Sequence, residues 1–466
     1  MAIHFGTDGW RAIIADEFTF SAVAAVARAY AGVLLRSQQP RRLRVVVGFD
    51  RRFASDAFAR TAAHALAAAG CDVSLADRAV PSPAVSWAVV DGGAAGGLVV
   101  TASHNPPLYN GIKLKAASGA AAPSRLNAEV EAAVGLDVPG AEGGRGHVST
   151  TNLIDPYVAR LSRLVALERL RGAGMTVVVD PMFGTTAGVM PRLLGGDSTE
   201  IVEINTAHNP LFPGITGPEP VDRNLARLKK VVADGSADIG LAFDGDGDRV
   251  GVVDESGRYV SSQHVFALLA RYVLEVRRER RPVVTSVTGS VMVERLAERA
   301  GVPVVETAVG FPSIAEAMTH DNAALGGEES GGFAFGFHLP ERDGILAALL
   351  LLDYTIHSGQ HVSDLLETLE SEVGSWVYRR EDVSLDRSAR AEVVDRLAAA
   401  ARPATLVGQR VEAVSDLDGI KLRLADRSWL LVRLSGTEPL ARIYAESQDA
   451  SAVDELLQAG REMMGV

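Results

Sequence analysis

The 466-residue sequence has one cysteine, Cys71. No disulfide can close within the chain and no cysteine zinc site can form, so a reducing, cytoplasmic setting is expected. A basic excess is missing as well. The formal net charge is -12, which argues against a nucleic-acid or anionic-membrane partner, since either would want a basic face. A small anionic substrate stays open, because a few well-placed arginines set the local field. There is no long apolar run. The longest block, Ile345 to Leu352, falls far short of the roughly 20 residues that span a bilayer. The first residues, Met1-Ala-Ile-His-Phe-Gly-Thr-Asp-Gly-Trp-Arg11, show no basic start leading into an apolar stretch, so a signal peptide is not expected. These absences point to a soluble protein.

What the chain does have is enough apolar sequence for several cores, with 47% hydrophobic and 22% charged residues. Its length calls for about three or four domains. Buried-strand patterns alternate with helical ones, which implies right-handed crossovers and largely parallel sheets. A helix over 20–36 precedes the apolar run Leu43 to Val47. Helices near 56–69 and 83–90 precede the run Gly97 to Val100. Residues 139–147, rich in glycine, look like a surface linker. A second unit follows, with a helix over 154–170, a strand Met175 to Val179, a helix Asn224 to Val232 and a strand Ile239 to Phe243. A third has a helix over 261–276, strands at 283–285 and 304–306, and a long helix ending near 355. After about 370 the texture turns to α+β, with strands from Val411 to Tyr444 and helices near 388–401 and 451–464. The expected division is 1–147, 148–257, 258–368 and 369–466. The fold class is α/β, with three related α/β domains of mixed, largely parallel sheet and a C-terminal α+β domain.

In such sheets, ligands sit beyond the carboxyl ends of the strands. Asp50, Arg52 and Ser103 all fall there. Pro106 and Pro107 forbid an immediate helix after Ser103, so its hydroxyl is presented on a loop. Such a hydroxyl can be a nucleophile if something removes its proton. His104 is adjacent and is either a base, an electrostatic neighbour or an ordinary loop histidine. Lys113 is near enough along the chain to fold back. No Gly-x-Ser-x-Gly elbow supports a hydrolase.

Asp244, Asp246 and Asp248 alternate with glycine after a buried strand, so three carboxylates converge. Hard oxygen ligands of this kind suit Mg²⁺; an acidic turn is the alternative. An EF-hand does not fit, because its sixth place is Arg249 rather than glycine. A dinucleotide fingerprint fails because a strand follows, not a helix. Arg249 suits a phosphate beside the metal, or a salt bridge to the same aspartates. Glu328 and Ser330, in a glycine-rich loop, are partners for sugar hydroxyls or parts of a plain turn. Arg433-Leu-Ser-Gly-Thr437, with Arg442 nearby, has the composition of a phosphate cradle, though a polar hairpin would look similar.

Five stretches together resemble the α-D-phosphohexomutase superfamily of phosphoglucomutases and phosphomannomutases. They are Phe5-Gly-Thr-Asp-Gly-Trp-Arg11; Thr101-Ala-Ser-His-Asn-Pro106 with Asn110-Gly-Ile-Lys113; Asp244-Gly-Asp-Gly-Asp-Arg249; Gly327-Glu-Glu-Ser-Gly331; and Arg433-Leu-Ser-Gly-Thr-Glu-Pro439. The resemblance implies four domains around a central cleft and a phosphoserine at Ser103. It implies one Mg²⁺ held by Asp244, Asp246, Asp248 and that phosphate, and an acid/base lysine at Lys113. Arg11 and Arg249 would support the transferring phosphoryl group. Glu328 and Ser330 would grip the sugar, and Arg433, Ser435, Gly436 and Thr437 its non-reacting phosphate. The implied reaction interconverts hexose 1- and 6-phosphates, glucose first and mannose second, through a hexose 1,6-bisphosphate. A sugar phosphate is the expected partner, and the expected state is monomer or homodimer.

Two positions depart from the family pattern. Gly332 stands where many relatives have histidine, which leaves His338 as a candidate for a polar contact to substrate. Pro312 stands where many have lysine. Two rival readings are an aspartyl-phosphate phosphatase or transferase using Asp244 and a non-catalytic sugar-phosphate-binding protein.

Overall fold

The structure is a computed structural model that describes residues 3–37, 43–136, 144–385, 393, 396–397, 403–434 and 440–465. Four sheets organise it. The first contains β1 (Trp10–Ile13), β2 (Arg44–Phe49), β3 (Asp72–Ala76), β4 (Gly96–Val100), β5 (Tyr109–Lys115) and β6 (Val148–Thr151), in the order β1-β5-β4-β2-β3-β6. Strands β4, β2, β3 and β6 run parallel, and β5 turns back antiparallel between β4 and β1. The second contains β7 (Thr176–Asp180), β8 (Glu200–Glu203), β9 (Ile239–Phe243), β10 (Val250–Asp254) and β11 (Tyr259–Val260), ordered β11-β10-β9-β7-β8. The third contains β12 (Val283–Ser286), β13 (Val304–Thr307), β14 (Leu325–Gly327) and β15 (Phe333–Phe335), ordered β13-β12-β14-β15.

These three sheets share a device. A buried strand in parallel pairing runs into a loop and returns antiparallel: β4 to β5, β9 to β10, β14 to β15. All five residues of β4, β9 and β10 are buried. That explains why these strands read as continuous apolar runs rather than as alternation. The fourth sheet is wholly antiparallel: β16 (Val377–Ser384), β17 (Thr405–Leu406), β18 (Gln409–Ser415), β19 (Ile420–Leu424), β20 (Trp429–Leu434) and β21 (Leu440–Ser447), with the helix Ala450–Met464 packed on it.

The helix Gly344–Ser358 is buried from Gly344 to Thr355, so its apolar block is a core helix. Asp343 caps it by accepting the Leu346 amide at 2.8 Å. The last sheet is docked on the third unit by charge: Arg423 donates to both oxygens of Glu294 at 2.7 and 2.9 Å, and Lys421 to Glu306 at 2.6 Å.

Several expectations need correction. β6, expected in the second unit, is the edge strand of the first sheet, paired along β3. The end of the expected linker is pinned rather than loose. The Gly146 amide donates to Ala67 O at 2.8 Å and the His147 amide to Asp72 Oδ1 at 3.0 Å; residues 139–143 lie outside the described residues. The helix expected over 154–170 is two, Ile154–Leu164 and Leu167–Arg171, broken where Val165 is extended. The apolar spacing continues across the break because both pieces face one core, which hid it. The helix after 261 ends in a π-helical turn, Tyr272–Val276. Most of the helix expected near 388–401 lies outside the described residues.

Candidate active site

The β4–β5 loop presents Ser103 fully buried at φ 49, a left-handed conformation costly for any residue but glycine. Arg52 holds it there. Its Nη2 donates to Ser103 O at 2.7 Å and Asn105 O at 2.5 Å, and its Nη1 to Pro106 O at 2.9 Å and Tyr109 O at 3.1 Å. Asp50 stands 3.3 Å from Arg52 Nε. One buried guanidinium thus binds four carbonyls of the loop.

The β9–β10 loop carries the three aspartates, all fully buried. Ser103 Oγ donates to Asp244 Oδ2 at 2.6 Å, so hydroxyl and acidic triplet share one site. The loops approach this closely because residue 245 is glycine: a Cβ there would lie 2.5 Å from Ser103 O. Lys113, carried by β5, donates to Asp246 Oδ2 at 2.8 Å and Asp248 Oδ2 at 2.6 Å and sits 3.1 Å from Asp8. Ser82 also donates to Asp246.

Charge in this site is unevenly satisfied. Burial, then Asp248 and Asp246, push the Asp244 carboxyl well above the ordinary range. Burial alone would lower the Lys113 pKa, but Asp246, Asp248 and Asp8 overcome it and hold the side chain as an ammonium. Burial, then the cations Arg249, Arg11, Lys113 and Arg52, keep His104 neutral. Its Nδ1 lies 3.4 Å from Ser103 Oγ.

Asp246 Oδ1 and Asp248 Oδ1 are buried without a hydrogen-bond partner. The three carboxylates offer oxygens within 4.8 Å of one another, the one such cluster among the described residues. Orphaned, converging carboxylate oxygens fit a hard divalent cation such as Mg²⁺.

The other predicted residues fall as follows. Arg11 Nη1 donates to Asn105 Oδ1 at 2.6 Å, facing the Ser103 loop. The Arg249 amide donates to Asp244 Oδ1 at 3.0 Å, and its guanidinium reaches Asp248 only loosely, at 3.9 Å. It is therefore not locked in a salt bridge to the triplet. Ser330 Oγ donates to Glu328 Oε1 at 2.6 Å. Arg433 and Arg442 are directly opposed across β20 and β21, and Arg442 lies 3.8 Å from Asp382. Arg433 pairs with Asp418 at 3.1 Å. It lines a cavity of about 780 Å³ together with Thr7, Val309 and Pro312. Ser435, Gly436 and Thr437 lie outside the described residues.

His338 is not brought to the site. Its side chain is buried against the Trp87 ring at 5.7 Å, Arg160 at 3.4 Å and Asp343 at 3.4 Å. The space over Gly332 is filled instead by Arg342, whose Cδ would lie 2.2 Å from a Cβ at 332. Asp8, Ser82 and Arg342 are site residues the sequence reading missed. Asp8 stands inside the Phe5–Arg11 stretch, Arg342 inside His338-Leu-Pro-Glu-Arg-Asp343 and Ser82 between two prolines, but where each side chain points depends on how the units dock. Pro312 sits in the first turn of the helix Phe311–His320, where its missing amide costs nothing.

Family models of the phosphoglucomutase/phosphomannomutase type match four successive stretches. Alpha/beta/alpha domains I, II and III match at residues 2–135, 155–257 and 261–372, and the C-terminal domain at 383–462. A phosphoglucomutase/phosphomannomutase from Thermococcus kodakarensis is 33% identical over 99% of this chain and 98% of its own length. The chain belongs to the phosphoglucomutase/phosphomannomutase family. A phosphoglucosamine mutase from Synechococcus elongatus is 32% identical over 97% of the chain and 91% of its own. A crystal structure from Thermus thermophilus, described as a phosphomannomutase, aligns over 100% of both chains with a TM-score of 0.85 and 35% identity. An Aspergillus fumigatus N-acetylphosphoglucosamine mutase, solved with GlcNAc-6P and magnesium, shares the fold at a TM-score of 0.61 and 14% identity, over 100% of this chain and 96% of its own. The four-domain phosphohexomutase architecture and an isomerase of the intramolecular phosphotransferase kind are thereby established, which closes the non-catalytic reading.

Proposed function

We propose that the enzyme interconverts hexose 1-phosphate and hexose 6-phosphate through a phosphoserine at Ser103 and a hexose 1,6-bisphosphate, with glucose the favoured sugar and mannose second. The observation that carries this is the 2.6 Å hydrogen bond from Ser103 Oγ to Asp244, inside a ring of buried cations. Phosphoryl transfer depends on in-line positioning and charge neutralisation. In the first transfer the bond between Ser103 Oγ and phosphorus breaks as a sugar oxygen takes the phosphoryl group. Lys113, an ammonium among three carboxylates, gives its proton to the departing Ser103 oxygen and takes the proton of the attacking sugar hydroxyl in its place. Arg11 and Arg249 face the phosphoryl oxygens. Glu328 and Ser330 hold ring hydroxyls, and Arg433 and Arg442 take the distal phosphate. When bound at Asp244, Asp246 and Asp248, Mg²⁺ adds charge neutralisation at the phosphoryl group. The bisphosphate then reorients so that either end can meet Ser103.

Glucosamine is a further sugar reading, supported by relatives named phosphoglucosamine mutase. Parallel assays on glucose, mannose and glucosamine 1-phosphates, with Mg²⁺ and a trace of bisphosphate, rank them. No product from any of the three would end the proposal. Peptide mapping separates it from the aspartyl-phosphate rival: acid-stable phosphate on Ser103 supports it, and acid-labile phosphate on Asp244 contradicts it.

A further inference from the structure

Arg342 follows Glu341 in the loop before the buried helix Gly344–Ser358, and its side chain is only 2% exposed. A guanidinium so enclosed requires partners, and it draws them from separate segments. Nη2 pairs with Asp8 of the N-terminal loop and, at 3.0 Å, with the triplet member Asp248. Nη1 donates to Glu328 Oε1 at 3.4 Å. The planar group lies 5.0 Å over the Phe311 ring. Its stem rests on Gly332, where any side chain would strike it.

The backbone behind it is fixed as well. Glu341 Oε1 accepts the Arg342 amide at 3.0 Å, while Glu341 Oε2 accepts Lys115 Nζ at 2.7 Å. Lys115 shares β5 with Lys113, so the strand that carries the proposed proton donor also anchors Arg342. Among the described residues, both side-chain hydrogen bonds to the Glu328 carboxylate, from Ser330 and from Arg342, go to Oε1.

We propose that Arg342 is a positioning and specificity-determining residue. By holding Glu328 Oε1 it presents Oε2 to the sugar ring, and by bridging Glu328 to Asp248 it ties the sugar-reading loop to the metal-binding loop. The planar fork matters more than the charge, because only a fork spans Asp248 and Glu328 at once. This inference rests on the functional reading above.

The test compares wild type with R342K, R342Q, E328Q and R342Q/E328Q in kcat/KM for glucose 1-phosphate and mannose 1-phosphate, with thermal unfolding alongside. R342K retains its melting temperature but loses about tenfold to a hundredfold in kcat/KM for the preferred sugar, carried mainly by KM, and its sugar discrimination collapses. The double variant is no worse than the poorer single, since both break one contact. Unchanged discrimination in R342K, or additive losses in the double variant, would overturn the proposal. Should the Arg342 variants fail to fold, Gly332→Ala displaces the same stem and is read by the same ratio. There too, lost discrimination supports the proposal and retained discrimination overturns it. A wild type inactive on every hexose phosphate fails the functional reading alone. An active wild type with an unaltered R342K fails this inference alone.

Discussion

The β4–β5 and β9–β10 loops are built on one plan and held by opposite means. Each follows a fully buried strand and returns antiparallel. The first, with Ser103, is tied from within its own sheet by Arg52, which donates to four of its carbonyls. The second, with the aspartates, takes its compensation from elsewhere. Lys113 of the first sheet and Arg342 of the third unit supply its cations, and two of its carboxylate oxygens have no hydrogen-bond partner. The Ser103 loop is thus held by its own domain. The acidic loop draws its cations from the docking of the other domains and keeps two orphaned oxygens that a metal ion would satisfy.

The difference predicts which changes a metal ion can repair. The largest effect is on turnover. Ser103→Ala removes an oxygen bonded to Asp244 and His104 and leaves both loops otherwise intact. Activity should fall by several orders of magnitude while the melting temperature stays near that of wild type; substantial residual turnover would count against the nucleophile assignment. Next is Lys113→Met, which leaves Asp246 without an ion-pair partner in the interior and Asp248 dependent on Arg342. Stability should drop by about 3–5 kcal/mol, and saturating Mg²⁺ should return part of it, read as melting temperature with Mg²⁺ against chelator. Arg52→Met should cost about 3 kcal/mol or more through orphaned carbonyls. There Mg²⁺ should restore no more than it adds to wild type. Equal rescue of the two variants would erase the distinction between the loops.

The smallest effect is a matter of pH. Asp180, at the end of β7, is pushed up to about 6 by burial, against the Met182 amide, Asn205 and Arg227. Its folded-state pKa lies above the unfolded one, so the folded protein binds the proton more tightly. Its contribution favours folding at low pH and is lost as pH rises from about 4 to about 6, by about 3 kcal/mol at most. Asp180→Asn should flatten that part of the stability–pH curve in urea unfolding. An unchanged slope would show that Asp180 titrates normally.

Much of this was legible in the sequence because it is local. A buried strand followed by an Asp-Gly alternation, or by a Ser-His-Asn-Pro-Pro turn, states both its burial and its chemistry. The α/β class, the Ser103 loop and the triplet were all readable that way. What was not readable is set by docking. Nothing near Arg342 announces that it reaches Asp8, Asp248 and Glu328. Nothing near His338 shows that Trp87 and Arg160 will enclose it. The β5 strand was hidden for a related reason: Tyr109 to Lys115 mixes polar and apolar residues, yet from Asn110 onward it is buried, because Lys113 and Lys115 find acids on other domains. Gly332 reads as a lost contact in sequence and as room for an arginine stem in space.

The most direct test of the central claim, that a hydroxyl from one sheet and three carboxylates from another form a single phosphoryl-transfer site, is the Mg²⁺ affinity of the protein phosphorylated at Ser103 against the Ser103→Ala variant, by calorimetry at one pH and ionic strength. The phosphorylated protein should bind Mg²⁺ at least about tenfold more tightly, as an added anionic ligand requires. Equal affinities would mean that Ser103 and the triplet do not share a site.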